Sequence, residues 1–306
     1  MMTETGLETR FPNLADAGAV VASAFARYLR PPPDRSVADW AGDKRFVAAE
    51  SGSPYPGKWS NQLAPYLIEP MECLASSHPA TDVTLSFSAQ TGKTAVGENF
   101  FGYTVDEDPG PMLIVLPSLD ESKKFVRVKL QPAIDATPSL RHKVKEQQSR
   151  SETGSTAAYK RFRGGFAQIT GANSSKGLQM ISVRRLWGDE ISEWPWDVDG
   201  RGDPMEMATA RTTAWSARGV KRLWSSTPGI AGECRITAYY EQSDCRQFYV
   251  PCPHCGDYQV LAFENMKFES ESAPHKPYFV CASHGCIIEH HDKRPMVARG
   301  IWIKSY

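Results

Sequence analysis

The sequence predicts an α/β protein with a mainly parallel central sheet flanked by helices. Short apolar segments alternate with segments of helical spacing along most of the 306 residues, and such alternation is typical of parallel sheets. The segment Met112–Leu116 is continuously apolar, as expected of a strand that is covered on both faces. A glycine-containing loop at residues 88–94 separates an alternating segment from a helical one. These three observations together indicate the fold class.

Composition excludes several classes of protein. Apolar residues make up 41% of the chain and charged residues 23%, so the chain can build a core and is not wholly disordered. The 35 Lys and Arg balance the 35 Asp and Glu, so an affinity for nucleic acid would require a local basic patch. No apolar run approaches the ~20 residues that cross a bilayer, and acids stand where a secretory signal carries basic residues. The sequence therefore predicts a cytoplasmic protein without a membrane span.

Residues 1–50 are expected to form an N-terminal helical segment. Asn13 can cap a helix, and three prolines at residues 31–33 end it. The apolar residues that recur at helical spacing in this segment are Val21, Phe25, Tyr28 and Leu29. A second segment of helical spacing covers residues 59–74.

Residues 51–247 are expected to form the α/β core. Its first strand is predicted where apolar residues from Val83 to Phe87 alternate with polar ones, and Met112–Leu116 is expected to lie beside it. Helices are predicted at residues 95–103 and 120–130. Further strands are predicted at residues 166–170, 183–187 and 222–225.

The loop at residues 88–94 carries most of a phosphate-binding pattern. The pattern ends in Gly92, Lys93 and Thr94, whereas Phe87 stands where its first glycine belongs. Backbone N–H groups of such a loop face the phosphates, the lysine reaches the β and γ oxygens, and the hydroxyl binds Mg²⁺. The residues expected to bind ATP are Ser88, Ala89, Gln90, Thr91, Gly92, Lys93 and Thr94. An ordinary glycine-containing turn is the alternative.

Two adjacent acids end a later predicted strand. Asp189 is expected to hold Mg²⁺ together with Thr94, and Glu190 is expected to orient and deprotonate the attacking water. The alternative is that both acids are solvated turn residues. The Lys93 loop upstream makes that alternative less favoured. Ser226 and Thr227 follow another short apolar strand and are expected to couple the state of the nucleotide to the rest of the protein, whereas a simple proline turn is the alternative.

Four of the seven cysteines form two close pairs near the C-terminus. Cys252 and Cys255 are separated by two residues, and Cys281 and Cys286 by four. In a reducing compartment such pairs favour a structural Zn²⁺ site with four thiolate ligands. His284 stands at a spacing from Cys281 that lets it compete with Cys286 as the fourth ligand. A redox pair is less favoured, because no thioredoxin-like strand and helix follow it.

Two further segments carry weaker signals. Residues 121–163 contain eleven Lys or Arg against four acids, which suits contact with DNA phosphates, with a solvated surface as the alternative. Gln62 and Tyr66 precede the phosphate loop at a distance where motor proteins often recognise adenine, although core packing of Tyr66 is the favoured interpretation.

Several blocks, taken in order, resemble the large terminase subunit of lambda-like tailed phages. The blocks are PGKWS, LAPYLIEPMECL, SAQTGKT, LPSLDESKKF, GANSS, LWGDEISEWP, SSTPGIAG and YVPCPHCG. The resemblance covers about residues 36–306 and implies a phosphate-loop ATPase of the additional-strand, conserved-glutamate type. The implied activity is a motor that drives double-stranded viral DNA into a procapsid in the cytoplasm of the infected bacterial host.

The resemblance also assigns roles, cofactors and partners. It implies phosphate and Mg²⁺ binding by Lys93 and Thr94, with Mg²⁺ at Asp189, catalysis by Glu190 and coupling by Ser226 and Thr227. ATP, Mg²⁺ and structural Zn²⁺ are the implied cofactors. The implied partners are DNA, a small terminase subunit, a portal protein and further copies of the chain in a ring, with no membrane.

Two departures from the family pattern matter. Many relatives have a basic residue where this chain has Phe87, so its contribution to nucleotide binding would be absent here. A neighbouring subunit of the ring is expected to donate an arginine, and the sequence does not choose between Arg127 and Arg141. Residues 248–306 are expected to form a zinc-binding element that leads toward the family's nuclease domain, which this sequence does not include, so DNA cleavage is not expected.

Two other functions are the alternatives to a packaging motor. One is a zinc-bearing helicase-like ATPase, and the other is a zinc-knuckle DNA-binding module with a vestigial nucleotide site.

Overall fold

The computed structural model divides the chain into two compact units, residues 1–34 and residues 35–306. It describes residues 18–22, 25, 35–145, 156, 158–230, 232–270, 272–273 and 275–305. In the first unit residues 18–22 and Phe25 are helical, which agrees with the predicted N-terminal helix. Its predicted cap Asn13, the apolar Tyr28 and Leu29 and the three prolines lie outside the described residues. No helix in the described ranges is long and apolar enough to cross a membrane.

Helices and strands alternate along the first part of the second unit. The helices here are α1 (Val37–Lys44), α2 (Ile68–Cys73), α3 (Lys93–Asp106), α4 (Leu119–Phe125), α5 (Gln131–Ala136), α6 (Pro138–Arg141), α7 (Pro204–Ala210) and α8 (Arg235–Glu241). The strands are β1 (Phe46–Val47), β2 (Gly57–Lys58), β3 (Asp82–Ser86), β4 (Met112–Leu116), β5 (Tyr159–Phe162), β6 (Gly165–Gly171), β7 (Arg185–Asp189) and β8 (Lys221–Ser226). A π-helical turn, Val126–Leu130, joins α4 to α5. The five strands predicted in the core are therefore confirmed, with ends shifted by a few residues.

Six strands form the central sheet in the order β3-β8-β7-β4-β6-β5. All neighbouring pairs are parallel except β5 with β6. The prediction that β4 lies beside β3 is wrong, because β8 and β7 stand between them. Strands that follow one another in sequence are often, but not always, neighbours in the sheet. Here the chain leaves two positions free between β3 and β4, and the later strands β8 and β7 occupy them.

The core lies on both faces of this sheet. In β4, Met112, Ile114 and Leu116 belong to one apolar cluster and Leu113 and Val115 to the other. Successive side chains of a strand point to opposite faces, so a continuously apolar strand must be covered twice. This strand therefore sits near the middle of the sheet with helices on either side.

The segment at residues 59–74 is less helical than its apolar spacing predicts. It forms two short 3₁₀ turns, Asn61–Leu63 and Pro65–Leu67, before α2 begins at Ile68. The residue before a proline is disfavoured in the α region, and Ala64, with φ −143° and ψ 70°, interrupts the helical path before Pro65. Only the last part of the segment is an α-helix.

The chain after α8 forms short strands and one helix. These elements are β9 (Gln247–Pro251), β10 (Tyr258–Gln259), β11 (Met266–Phe268), β12 (Pro277–Val280), β13 (Ile287–Ile288), α9 (Lys293–Ala298) and β14 (Ile301–Ile303). Strands β10, β9 and β14 form one antiparallel sheet, and β11, β12 and β13 form another. We call residues 247–305 the C-terminal element, and the predicted domain boundary near residue 248 stays a prediction.

Candidate nucleotide site and cysteine cluster

Three neighbouring strands, β3, β8 and β7, end at the same edge of the central sheet. Their registers place Ser86 opposite Ser226 and Asp189 opposite Ser225. Because these strands are parallel, the loops that follow them converge at this edge. The predicted phosphate loop, the acidic pair and the predicted coupling pair therefore meet, although Lys93 and Thr227 are 134 positions apart in sequence.

The loop after β3 leads directly into the N-terminus of a long helix. Gln90 and Gly92 both have positive φ, 61° and 90°, and α3 begins at Lys93 and continues for 14 residues. The first N–H groups of a helix lack partners within the helix and carry partial positive charge, which favours an anion. A Cβ at Gly92 would lie 2.8 Å from the Leu67 side chain, so glycine meets both the backbone and the packing requirement at this point. Thr91 donates its hydroxyl to the Ser88 carbonyl at 2.7 Å, within the loop.

The ammonium group of Lys93 lies between residues of the other two loops. Its Nζ is 3.1 Å from Glu190 Oε1 and donates a hydrogen bond to Thr227 Oγ1 at 2.6 Å. Only 7% of this side chain is exposed. A buried ammonium requires acidic or polar partners, and here they come from the ends of β7 and β8.

Asp189 is the most deeply buried acid of the site, with 3% of the residue exposed. One carboxylate oxygen accepts from Thr94 Oγ1 at 3.1 Å and the other from Ser225 Oγ at 2.7 Å. Burial raises the pKa of Asp189 to about 6, although both hydrogen bonds favour its charged form. A hydroxyl and a carboxylate oxygen side by side are the ligands that Mg²⁺ prefers.

Glu190 has a left-handed backbone conformation, with φ 47° and ψ 49°. That conformation is uncommon for a residue with a side chain, and such outliers cluster at functional sites. Its Oε2 accepts from the Thr227 backbone N–H at 3.0 Å and from Ser226 Oγ at 3.2 Å. Both members of the predicted coupling pair therefore hold the carboxylate that pairs with Lys93.

Ser225 belongs to this network, although the sequence analysis gave a role only to the two residues that follow it. It precedes the predicted coupling pair, is fully buried and bonds Asp189. Side chains alternate along a strand, so Ser225 and Ser226 point to opposite faces. That alternation is the signal that could have identified Ser225, because each serine reaches a different acid.

Other predicted residues do not bond Lys93, Asp189 or Glu190. Tyr66 is half-buried, and its hydroxyl donates to the Thr91 carbonyl at 3.1 Å. Gln62, Arg127 and Arg141 are exposed. Lys160, from the predicted DNA-contacting stretch, is 1% exposed and donates to Gln131 Oε1 at 2.8 Å, so it is not available for a phosphate.

The four paired cysteines come together in the C-terminal element. The sulfur atoms of Cys252, Cys255, Cys281 and Cys286 all lie within 4.8 Å of one another, and the sulfurs of Cys255 and Cys281 are 3.7 Å apart. A tetrahedral zinc with bonds of about 2.3 Å to sulfur requires sulfur atoms about 3.8 Å apart. The four thiols therefore fit this ion.

His284 does not join that four-sulfur group. Its side chain is 61% exposed, and its Nδ1 lies 3.2 Å from Asp257 Oδ2. With Asp257 and Cys255 it forms a second group of possible ligands, which shares Cys255 with the four-sulfur group.

Comparison with known proteins relates most of the chain to one family. Residues 53–302 match the family described as phage terminase large subunit gpA, ATPase domain. The terminase large subunit of Enterobacteria phage P21 is 28% identical over 299 residues, which cover 94% of this chain and 44% of the relative. The terminase large subunit of Escherichia phage lambda is 25% identical over 300 residues, which cover 93% and 45%. The chain thus spans less than half the length of these curated relatives.

Similarity to solved structures is weak. The large terminase ATPase domain of a Thermus phage, P74-26, matches with a TM-score of 0.37 and 15% identity, covering 60% of this chain and 70% of that chain. A score this low does not by itself establish a shared fold, so the relationship depends on sequence.

Proposed function

This chain belongs to the phage terminase large subunit family through its gpA-type ATPase domain, and we propose that it is an ATPase motor that drives double-stranded viral DNA into a procapsid. The observation that carries this proposal is the meeting of Lys93 with Glu190 beside Asp189 and Thr94. An ammonium, two carboxylates and a hydroxyl at a helix N-terminus are the groups that phosphoryl transfer from ATP requires.

The phosphate loop would bind and orient the triphosphate. The backbone N–H groups of residues 88–92 and the N-terminus of α3 would face the phosphate oxygens, and Lys93 would offset their negative charge. Thr94 and Asp189 would hold Mg²⁺, which neutralises charge on the β and γ oxygens when bound. We therefore propose a site of the phosphate-loop type, and the additional-strand, conserved-glutamate assignment belongs to the same proposal.

Glu190 would position the attacking water and accept its proton. Its Oε1 faces Lys93 and its Oε2 is held by Ser226 and Thr227. Thr227 contacts both the carboxylate of Glu190 and the ammonium of Lys93, whereas Ser226 contacts the carboxylate alone. A displacement of Glu190 on loss of the γ-phosphate would therefore change the hydrogen bonds of both residues, and a displacement of Lys93 would change that of Thr227. We therefore assign Ser226 and Thr227 the coupling role.

The cysteine cluster would hold one structural Zn²⁺ through Cys252, Cys255, Cys281 and Cys286. Four protein ligands leave no open position for a substrate, so the ion would stabilise the C-terminal element and take no part in hydrolysis. Cys286 is the preferred fourth ligand, because His284 is exposed and paired with Asp257.

The proposed partners follow from the family. They are double-stranded DNA, a small terminase subunit, a portal protein and further copies in a homo-oligomeric ring, all in the cytoplasm of an infected bacterium. Arg127 and Arg141, both exposed, remain the two candidates for the arginine given to a neighbouring subunit. A helicase-like ATPase and a DNA-binding module with a vestigial nucleotide site are not favoured by the family match.

The substitution Glu190→Gln tests the catalytic role. We expect the variant to bind Mg·ATP as the unsubstituted chain does and to hydrolyse it about 10²–10⁴ times more slowly, since a positioned general base contributes that much. Calorimetric titration and phosphate release measure the two quantities. Glu193→Gln, an exposed acid on the same loop, is the matched control and should keep its turnover. Unchanged hydrolysis by Glu190→Gln would remove Glu190 from the mechanism.

A further inference from the structure

Tyr66 connects the phosphate loop to the C-terminal element. Its hydroxyl donates to the Thr91 carbonyl at 3.1 Å. Its own backbone carbonyl accepts from the indole Nε1 of Trp302 at 2.9 Å, and Trp302 lies in β14. Tyr66 thus forms one hydrogen bond with the phosphate loop and one with the C-terminal element. Trp302 lies 236 positions further along the chain.

An aromatic cluster of Tyr66, Phe87, Phe248 and Trp302 surrounds these two hydrogen bonds. Phe87 stacks on Trp302 with ring centroids 6.0 Å apart and planes 8° from parallel. The ring of Tyr66 packs in a T-shaped arrangement with those of Phe87 and Phe248, with ring centroids 6.3 and 5.9 Å apart. The ring centroids of Phe248 and Trp302 are 5.4 Å apart. Phe87 immediately precedes the phosphate loop, so its ring links the start of that loop to Trp302.

The hydrogen bond to Thr91 determines how the next peptide group points. In a trans peptide the carbonyl of one residue and the N–H of the next point in opposite directions. Because the Thr91 carbonyl faces Tyr66, the Gly92 N–H faces away from it. Burial raises the pKa of Tyr66, so its hydroxyl keeps the proton that it donates.

The cysteine cluster lies at the other end of this connection. Cys252 directly follows β9, and β9 pairs with β14 through Tyr249 opposite Ile301 and Phe248 opposite Trp302. A metal ion at the cysteines would therefore fix the end of the strand that carries Phe248 and positions Trp302.

We infer that Tyr66 is a positioning residue through which the C-terminal element holds the phosphate loop in its ATP-binding conformation. This inference rests on the proposed function and goes beyond it, because it makes nucleotide affinity depend on an element that does not touch the phosphates. Coupling between two sites is reciprocal, so ATP binding also stabilises the pairing of β14 with β9.

Tyr66→Phe in the 306-residue chain tests the inference. The loss of one hydrogen bond should weaken Mg·ATP binding about threefold to tenfold and raise KM by a similar factor, with kcat nearly unchanged. Tyr258→Phe is the matched control, since its hydroxyl also donates to a backbone carbonyl, that of Arg299, away from the loop. Equal affinities of Tyr66→Phe and the unsubstituted chain would overturn the inference.

Amide hydrogen exchange separates positioning from a general loss of stability. Saturating Mg·ATP should slow exchange at Ile301–Ile303 in the unsubstituted chain and in Tyr258→Phe, but not in Tyr66→Phe. A double-mutant cycle with Trp302→Phe should be non-additive, because both substitutions break the same connection. Additive effects, or ATP protection of β14 that survives in Tyr66→Phe, would contradict it. If the unsubstituted chain binds no ATP, the proposed function fails, whereas binding without protection of β14 overturns this inference alone.

Discussion

The edge of the central sheet and the C-terminal element position their polar groups by different means. At the sheet edge, strands with buried side chains on both faces carry Lys93, Asp189 and Glu190 into place. The C-terminal element has strands of two to five residues and a small buried cluster. The members of that cluster are Val250, Cys252, Cys281, Ile288 and Met296.

The difference concerns what keeps each region folded. Hydrophobic burial grows with the size of a core, so we expect the two large clusters on the sheet to hold the candidate nucleotide site without help from its own charged residues. In the C-terminal element two of the five members of the buried apolar cluster are themselves cysteines of the four-sulfur group. We therefore expect the C-terminal element to need the proposed zinc ion as a structural part.

The largest effect is expected from removing a zinc ligand. Cys252→Ser should lower the zinc content from one per chain to near zero, because three thiolates do not close the site. The apparent stabilisation lost is on the order of 10 kcal/mol, by analogy with zinc-finger peptides. Elemental analysis measures the metal, and hydrogen exchange should show β10, β12 and β13 losing protection while β4 and β7 keep theirs.

Cys73→Ser is the control for that experiment. Cys73 lies in α2, outside the four-sulfur group, and the variant should retain its zinc. A zinc-free chain with a fully protected C-terminal element would contradict the contrast between the two regions.

The next largest effect is expected on ATP hydrolysis, with the fold unchanged. Lys93→Met should reduce ATP turnover by about 10³, as loss of one preorganised charged donor does, while zinc content and protection of β4 stay unchanged. Phosphate release and hydrogen exchange on the same sample measure both. Lys123→Met, which alters an exposed lysine, should leave turnover intact. Global unfolding of Lys93→Met would show that the site residues help to hold the sheet.

A smaller effect is expected from filling the contact between α3 and the sheet. A Cβ at Gly97 would lie 2.0 Å from the indole of Trp187, so Gly97→Ala should reduce the free energy of unfolding by about 1–3 kcal/mol through overpacking. Denaturant unfolding followed by circular dichroism measures it. At Gly110 the added Cβ meets Arg184 at an ordinary 3.6 Å, so Gly110→Ala should be nearly neutral. Equal stability of the two variants would contradict the close packing.

The smallest effect is a pH dependence within the sheet region. Burial disfavours the charged form of Asp106, but hydrogen bonds from Lys143, Lys44 and the Trp40 indole outweigh it and lower its pKa to about 2. The unfolded chain therefore takes up this proton first as pH falls, and about 2 kcal/mol of stability should be lost between about pH 5 and pH 2. Unfolding midpoints measured across that range test it.

Asp106→Asn should remove that part of the acid dependence. Asp120→Asn, at an exposed ion pair with Lys123, should keep it. If stability falls with pH in Asp106→Asn as it does in the unsubstituted chain, the hydrogen bonds around Asp106 do not contribute to the acid dependence of stability.

Local patterns identified the strands and selected residues that meet at one edge of the sheet, but they did not give the order of the strands. The apolar run of β4, the glycine loop before α3 and the acids at the end of β7 each depend on neighbours in sequence, so each could be predicted. Strand order depends on which distant segments pair, and the expected contact of β3 with β4 failed for that reason.

Side-chain partners far apart in sequence were also beyond prediction. Lys160 looks like a surface charge beside Arg161, yet it is buried against Gln131. Nothing near Tyr66 in sequence indicates that Trp302 donates to its carbonyl. The cysteine cluster was easier, because its ligands come in short pairs whose spacing is itself the signal.

Helix α3 lies between two indoles with almost no space on either side. Gly97 lets it approach Trp187 of β7, and Gly102 lets it approach Trp40 of α1, where an added Cβ would be 2.0 Å from the ring. A helix held in this way cannot slide along its axis without opening a void on one side and a clash on the other. A force applied at the first turn of α3 would therefore move the helix and the sheet together as one rigid body. The side chains between them would rearrange little.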